Sequence, residues 1–184
     1  MQGPHRHSVT LVLGGVRSGK SRFALQLASR AVKVTFVATA RPSDEEMRRK
    51  IERHRRERPA HWRTREEPLK LAEVILESEP ASEFVLVDCL TLFAANLMEA
   101  HGEDREAIAS VIDEFCEALK KTKIRIVLVS NEVGNGVVPA YAAGRQFRDL
   151  LGEINQQVAA VADNVVLMVA GIPIWIKGGS EEPL

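Results

Sequence analysis

A glycine-rich segment near the amino end constrains the fold of this chain more than any other feature. Residues 14–21 read GGVRSGKS, with the spacing Gly14-x4-Gly19-Lys20-Ser21. The apolar run at residues 8–13 predicts a buried strand before the segment, and an apolar helical face predicts a helix from residue 20 onward. A strand, a glycine turn of this spacing and a helix together predict a phosphate-binding loop, or P-loop.

The chemistry of this segment points to a nucleoside triphosphate. Its glycines let successive N–H groups point at a phosphate, and the following helix adds its positive end. Lys20 supplies a cation for the β and γ oxygens, while Ser21 supplies a hydroxyl ligand for Mg²⁺. The candidate cofactor-binding residues here are Gly14, Gly15, Val16, Arg17, Ser18, Gly19, Lys20 and Ser21. An incidental glycine-rich turn is the alternative, which spacing and context both disfavour; the motif itself names no reaction.

Strands and helices alternate along the rest of the chain. Further strands are predicted at residues 33–40, 83–87, 124–130 and 165–170. Helices are predicted at residues 43–58, 69–79, 90–99, 106–121 and 144–162. Because each strand is apolar throughout, we expect a mostly parallel central sheet with helices on both faces. The prediction is a single α/β domain of P-loop NTPase-like fold over residues 1–184, with flexible ends at 1–7 and 178–184.

The composition narrows the classes of function. The formal net charge is zero and aromatic residues make up 5% of the chain, which disfavours a nucleic-acid-binding protein. No apolar run approaches the roughly 20 residues that span a bilayer, and the amino end lacks the apolar stretch of a signal peptide. The cysteines, Cys89 and Cys116, lie in apolar surroundings without a CxxC spacing and are interpreted as buried thiols. We therefore expect a cytoplasmic protein without a transmembrane segment.

Two carboxylates follow predicted strands. Asp88 ends FVLVD, where P-loop folds keep the acid that holds Mg²⁺, so Ser21 and Asp88 are the candidate metal residues. The alternative for Asp88 is a cap on the next turn. Glu132 follows the strand at 124–130, and both an acidic site role and plain loop hydrogen bonding stay open for it.

A histidine lies in a strongly basic predicted helix. His54 shares one helical face with Met47, Ile51 and Arg58. Its basic neighbours are Arg48, Arg49, Lys50, Arg53, Arg55, Arg56 and Arg58. Nearby cations favour a neutral imidazole and stabilise charge on phosphate oxygens, so His54 is a candidate catalytic nucleophile toward phosphorus. The alternative is a solvated helix whose charge serves solubility.

A predicted turn at residues 61–65 follows this helix. We interpret His61 as a turn residue that packs on Trp62 rather than as a reactive group. Glu66 and Glu67 come directly after the turn and are candidates for accepting hydrogen bonds from a ribose or a base edge. Contact with solvent alone is the alternative for both carboxylates.

The sequence closely resembles the bifunctional adenosylcobinamide kinase / adenosylcobinamide-phosphate guanylyltransferase family of cobalamin biosynthesis. The matching segments are GGVRSGKSRFA at 14–24, FVATA at 36–40, DEEMRRKIERHRRERPAHWRTREEP at 44–68, LVDCLTLFAANL at 86–97, VLVSNEVGNGVVPAYAAGRQFRDLLGEINQQVAAVAD at 127–163 and VAGIPIWIK at 169–177. The RPAHWRT and SNEVGxGxVP strings are more distinctive than the P-loop. Some relatives have two adjacent histidines where this chain has Arg53-His54.

This resemblance implies a chemistry in two stages. A nucleoside triphosphate, ATP or GTP, would phosphorylate the aminopropanol hydroxyl of adenosylcobinamide. His54 would then take GMP from GTP, releasing pyrophosphate, and pass it to adenosylcobinamide phosphate to give adenosylcobinamide-GDP. The resemblance also implies a homotrimer that binds a small-molecule corrinoid. Besides the P-loop, the residues it implies at the nucleotide are Val37, Ala38, Thr39, Arg55, Arg56, Glu57, Arg58, Glu66 and Asp88.

Two other functions are alternatives to this one. A monofunctional P-loop kinase would use the arginine-rich helix as a lid on the phosphates and leave His54 inert. A nucleotide-dependent switch protein would use the same basic helix to bind RNA or DNA, against which the zero net charge and low aromatic content stand.

Overall fold

One seven-stranded sheet organises the protein. A computed structural model describes residues 7–41, 45, 48–49, 52, 55, 58–78 and 81–179. The strands are β1 (Ser8–Gly14), β2 (Val34–Ala38), β3 (Arg63–Glu66), β4 (Phe84–Asp88), β5 (Arg125–Val129), β6 (Asn164–Val169) and β7 (Ile172–Lys177). The helices with described bounds are α1 (Lys20–Ala28), α2 (Leu71–Ser78), α3 (Leu90–His101), α4 (Arg105–Lys121) and α5 (Ala142–Val161).

The strand order confirms the predicted α/β architecture. The order across the sheet is β3-β2-β4-β5-β1-β6-β7. Every neighbouring pair runs parallel except β6 and β7, which are antiparallel. Helices supply the crossovers between parallel strands, as a parallel sheet requires.

Both faces of the sheet are covered by apolar side chains. One face packs against α2 to α5, in a core that contains Leu11, Phe93 and Phe115. The other face packs against α1, in a core that contains Phe23 and Trp62. Strands buried on both faces have no polar side to alternate with, which is why the central strands read as continuous apolar runs.

The two edge strands, β3 and β7, differ from the buried central strands. The predicted turn at 61–65 was wrong for residues 63–65, because Arg63–Glu66 forms strand β3 and pairs in parallel with β2. This strand is polar, with exposed residues at its two ends and half-buried ones between them, so it carries no apolar signal. Strand β7 follows a two-residue hairpin turn at Ala170 and Gly171, both with positive φ, the geometry that joins tightly paired antiparallel strands.

The predicted helix at 43–58 lies mostly outside the described residues. Glu45, Arg48, Arg49, Glu52 and Arg55 are helical and exposed. Glu45 accepts salt bridges from Arg48 and Arg49 at the i,i+3 and i,i+4 spacings of one helical face.

Several sequence predictions fall outside the described part of the chain. They are the chain ends at 1–6 and 180–184 and the candidate residues His54, Arg56 and Glu57. Within the described ranges, no helix combines the length and apolar character needed to cross a bilayer.

Candidate active site

The carboxyl ends of the parallel strands form one edge of the sheet. The register aligns Glu66, Ala38, Asp88, Val129 and Val12 in a single row across β3, β2, β4, β5 and β1. Open α/β sheets bind ligands just beyond the carboxyl ends of their strands. The P-loop leaves β1 at this edge, so the row locates the candidate active site.

The P-loop needs glycine at two positions for steric reasons. Gly14 ends β1 at φ 152° and Gly19 precedes α1 at φ 99°. A Cβ on Gly14 would come within 2.6 Å of the Met168 carbonyl oxygen, and a Cβ on Gly19 within 3.2 Å of the Gly171 Cα. The close neighbours are backbone atoms, so they cannot rotate out of the way. The β6–β7 hairpin therefore packs directly against the P-loop.

A hydrogen bond fixes this contact between loop and hairpin. The Gly171 N–H donates to the Ser18 carbonyl oxygen at 2.9 Å, and the Ser18 N–H donates to Gly15 O at 3.3 Å. The Ser18 hydroxyl is buried and has no hydrogen-bond partner among the described residues. Buried hydroxyls are costly to leave unpaired, so an oxygen-rich ligand in the loop is favoured.

Lys20 lies inside the P-loop curve. Its Nζ donates to the Gly15 carbonyl oxygen at 2.6 Å, and the residue is buried. Burial lowers the pKa of the Lys20 ammonium below its ordinary value, while Cys89 and Asp88 nearby act to raise it. A desolvated cation beside a glycine loop is well placed to bind phosphate oxygens, which would also restore its solvation.

The candidate metal residues present oxygen atoms at the same edge. Ser21 lies in the first turn of α1 and Asp88 ends β4, and both are half-buried. Asp88 lies in register with Val129, which pairs with Val12 near the end of β1, so this acid lies at the sheet edge from which the P-loop leaves. No cluster of three or more His, Cys, Asp and Glu side chains suited to a metal occurs in the described ranges. One carboxylate and one hydroxyl nevertheless fit Mg²⁺, which binds few protein ligands and completes its octahedron with phosphates and water.

The end of β2 is buried beside Asp88. Val37, Ala38 and Thr39 are all buried. The Thr39 hydroxyl donates to Cys89 O at 2.7 Å and accepts from Cys89 N at 2.8 Å. The roles predicted for these residues at the nucleotide stay predictions.

The basic and acidic candidates around β3 fall into different positions. Arg58 lies with its guanidinium carbon 3.4 Å from the centroid of the Phe36 ring, a cation–π contact with β2. Arg55 and Glu66 are exposed, Glu66 at the end of β3 in register with Ala38. Glu67 instead accepts from the N–H groups of Leu69 at 3.1 Å and Lys70 at 2.9 Å, so its carboxylate holds the chain entering α2.

Other candidates have local roles in the structure. Glu132 Oε1 accepts from Gly134 N at 2.6 Å, which is the loop hydrogen bond expected as one alternative, and Glu132 N donates to Gly14 O at 3.1 Å. His61 is exposed, beside a buried Trp62. Cys89 and Cys116 are free thiols, but only Cys116 is fully buried; Cys89 is half-buried. Burial of the thiol, with Asp88 beside it, raises the pKa of Cys89 to about 11.

Sequence reasoning missed two parts of this site. Asn96 is buried in α3, and its amide donates to Thr39 O at 2.8 Å and Pro68 O at 3.0 Å. A lone asparagine within LTLFAANL was the available signal, because a polar side chain on an apolar helix face needs partners. The hairpin at Ala170 and Gly171 had no comparable signal of its contact with the P-loop.

Comparison with known proteins decides the family. The family model described as cobinamide kinase / cobinamide phosphate guanyltransferase, CobU, matches residues 10–176. The chain belongs to this family. The match confirms the resemblance inferred from the sequence motifs and favours the bifunctional enzyme over a monofunctional kinase or a nucleic-acid-binding switch protein.

Curated members of the CobU family match along nearly the full chain. The bifunctional adenosylcobalamin biosynthesis protein CobP of Pseudomonas aeruginosa is 44% identical over 175 residues, covering 95% of this chain and 98% of its own length. The proteins named CobU from Escherichia coli and Salmonella typhimurium are 41% and 39% identical, each over 91% of this chain and 98% of its own length.

A solved structure supports the fold alone. An ATPase from the type III secretion system of pathogenic bacteria matches with a TM-score of 0.57 and 12% identity, over 88% of this chain and 51% of that chain. The similarity to an ATPase agrees with the predicted P-loop NTPase-like fold.

Proposed function

We propose that this chain carries out both reactions of the CobU family. It phosphorylates adenosylcobinamide with a nucleoside triphosphate, then transfers GMP from GTP through a covalent histidine to adenosylcobinamide phosphate. The products of the second stage are adenosylcobinamide-GDP and pyrophosphate. The family match over residues 10–176 carries the proposal, and the steric demands at Gly14 and Gly19 support a phosphate cradle within it.

In the kinase stage, the P-loop would hold the triphosphate. Its N–H groups and the amino end of α1 would surround the β-phosphate, and Lys20 would exchange Gly15 O for β and γ oxygens. Ser21 and Asp88 would hold Mg²⁺, which supplies neutralising charge on the phosphate oxygens when bound. The substrate hydroxyl attacks the γ-phosphorus, the bond to the β–γ bridging oxygen breaks, the nucleoside diphosphate leaves, and the hydroxyl proton passes to solvent.

In the guanylyl stage, His54 would be the nucleophile. An imidazole nitrogen forms a bond to the α-phosphorus of GTP while the bond to the β-phosphate oxygen breaks and pyrophosphate leaves. A phosphate oxygen of the corrinoid then attacks the same phosphorus and releases the histidine. The basic sequence around His54 supports this assignment, because cations stabilise the charge that develops on the phosphate oxygens.

The remaining nucleotide contacts are proposed along the same edge. Val37, Ala38 and Thr39 are buried and their backbone groups are paired within the fold, so they would shape this edge from below without bonding the nucleotide directly. The polar contacts are proposed for Arg55, Arg56, Glu57, Arg58 and Glu66. Arg58 supports this placement, because its stacking on Phe36 brings a guanidinium to strand β2.

We place the corrinoid on the loop at residues 133–141, which we name the acceptor loop. Its root lies at the P-loop, because Glu132 N donates to Gly14 O. Val137 is 95% exposed, and Val138 and Tyr141 are also exposed. Arg145 donates to the carbonyl oxygens of residues 139 and 140, so the loop is braced while its apolar side chains face outward. A large macrocycle with apolar faces would bury these side chains next to the P-loop.

We further propose that residues 1–184 act as one domain that assembles into a homotrimer in the cytoplasm. Ile172, Ile174 and Ile176 form an exposed apolar row on edge strand β7. Exposed apolar edge strands are sites of association, so this row supports assembly between copies. The free thiols and the nucleotide substrates support a cytoplasmic location.

Labelling the histidine tests the proposed function. Incubation with α-labelled GTP should leave acid-labile label on denatured wild-type protein, with a mass increase of one GMP at His54. His54→Ala should lose the label and keep cobinamide phosphorylation, whereas His61→Ala, a matched change at an exposed histidine, should keep both. Absence of label from active wild-type kinase would make the protein a monofunctional kinase.

A further inference from the structure

We propose that Thr39 and Asn96 are positioning residues that hold Asp88 for metal-dependent nucleotide binding. The inference rests on the proposed function, in which Asp88 holds Mg²⁺. Two buried side chains would keep that carboxylate in position. It concerns the peptide immediately after Asp88 and the strand end beside it.

The Thr39 hydroxyl hydrogen-bonds the backbone just beyond the last residue pair of strands β2 and β4. The register between β2 and β4 ends at the pair Ala38 and Asp88. One residue further, the Thr39 hydroxyl donates to Cys89 O at 2.7 Å and accepts from Cys89 N at 2.8 Å. Both backbone polar groups of Cys89 are therefore bonded to one side-chain oxygen. Thr39 is 0% exposed, so water does not compete for these bonds.

Asn96 braces the same point from the helix that follows. Its amide donates to Thr39 O at 2.8 Å and to Pro68 O at 3.0 Å, and the residue is buried. Helix α3 begins at Leu90, directly after Cys89. The chain therefore leaves Asp88, enters α3 and is tied back to Thr39 about two turns later. Asp88 lies between a paired strand and a helix that are both anchored to Thr39.

The arrangement suits a residue that must hold a metal ion in a fixed position. A carboxylate that holds a metal must stay within about 0.5 Å of its productive position, and removal of a supporting hydrogen bond typically lowers metal affinity about 10–100-fold. Asp88 lies in register with Val129, which pairs with Val12 near the end of β1, where the P-loop begins. The bonds of Thr39 and Asn96 therefore hold the backbone around Asp88 at the sheet edge that carries the P-loop.

Thr39→Val and Thr39→Ser form the matched pair for a test. Valine keeps the shape and removes both hydrogen bonds, while serine keeps the hydroxyl. Calorimetry would measure the Kd of GTP with Mg²⁺ and with EDTA. The Kd in EDTA divided by the Kd with Mg²⁺ gives the metal-coupling ratio, which is large when Mg²⁺ strengthens binding. We expect Thr39→Val to lower this ratio at least tenfold, with the metal-free Kd within twofold of wild type. Thr39→Ser should stay within threefold of wild type in both.

Several outcomes would overturn the inference. The first is a metal-coupling ratio of one in wild type, and the second is a ratio in Thr39→Val equal to that of wild type. The third is a loss of the ratio in Thr39→Ser as large as the loss in Thr39→Val. If Thr39→Val fails to fold, Asn96→Ala replaces it. Alanine leaves space for a water molecule that can bond the carbonyl oxygens of Thr39 and Pro68, so we expect this variant to fold. Its metal coupling should fall in the same way, and an unchanged ratio overturns the inference.

The labelling experiment keeps this inference separate from the proposed function. Wild-type protein that forms the GMP adduct while Thr39→Val retains full metal coupling overturns only the positioning role. Wild-type protein with metal coupling that Thr39→Val loses, but with neither adduct nor cobinamide phosphorylation, overturns only the proposed function.

Discussion

Replacing Gly19 by alanine tests how the P-loop is held in shape. At φ 99° an L side chain is strained, at a cost of about 1–2 kcal/mol. The new Cβ would lie 3.2 Å from the Gly171 Cα, so the hairpin must move and the bond from Gly171 N to Ser18 O, 2.9 Å long, is weakened. That bond contributes about 1 kcal/mol. We expect Gly19→Ala to lose about 2–3 kcal/mol of unfolding free energy.

Gly152 supplies the matched control. It lies within α5, is exposed, and a Cβ there would meet nothing within 4 Å. Alanine in an exposed helix interior is favoured over glycine by about 1 kcal/mol, so Gly152→Ala should be more stable than wild type. The same chemical change therefore has opposite expected signs at the two positions.

Thermal unfolding and calorimetry check both variants. For a chain of this size about 1 kcal/mol shifts Tm by about 2–4 °C, so Gly19→Ala should melt about 4–12 °C below wild type. Displacement of the cradle N–H groups should also raise the Kd for MgGTP at least tenfold, while Gly152→Ala leaves it unchanged. A Gly19→Ala protein with wild-type Tm and wild-type Kd would refute the steric argument.

The other predictions concern charge, substrate and assembly. Lys20→Met should abolish triphosphate binding. Because burial lowers the pKa of Lys20 in the folded protein, the stability of wild type relative to this variant should increase as pH rises from that lowered pKa to 10.5. Denaturant unfolding at several pH values would measure this difference. A stability difference that does not change with pH would contradict this. Val137→Ser on the acceptor loop should raise KM for cobinamide about five- to tenfold through lost apolar contact, whereas Val32→Ser, an exposed valine before β2, should not; equal KM values in a steady-state assay would remove the corrinoid from this loop. Ile174→Glu on β7 should dissociate the assembly in light scattering, whereas Leu76→Glu, at an exposed position of α2, should leave it intact; an unchanged mass for both would contradict an interface on β7.

The local sequence was sufficient for the central features of this protein. The spacing of Gly14, Gly19, Lys20 and Ser21 between an apolar run and an apolar helical face specified the P-loop, because phosphate binding there depends on consecutive backbone groups. Uniformly apolar strands specified a parallel sheet, because a strand buried on both faces cannot carry polar side chains. The same logic predicted that Asp88 ends a buried strand, which the structure confirms; its role at a metal stays a prediction.

Tertiary structure decided the features that depend on partners distant in the chain. Arg63–Glu66 became a strand only because β2 offered an unpaired edge, and its own residues carry no apolar pattern. The contact of Gly171 with the P-loop joins residues about 150 positions apart, and nothing in VAGIP signals it.

The hydrogen bonds of Thr39 show most directly what the sequence determines and what only the fold decides. The sequence allowed Thr39 a place near the nucleotide, but its hydroxyl is bonded to Cys89, fifty residues away, and its carbonyl to Asn96. Periodicity reports which side of an element is buried, because burial acts on each residue separately. A hydrogen bond between strands and helices depends on two positions at once, so only the folded chain determines which polar side chains meet.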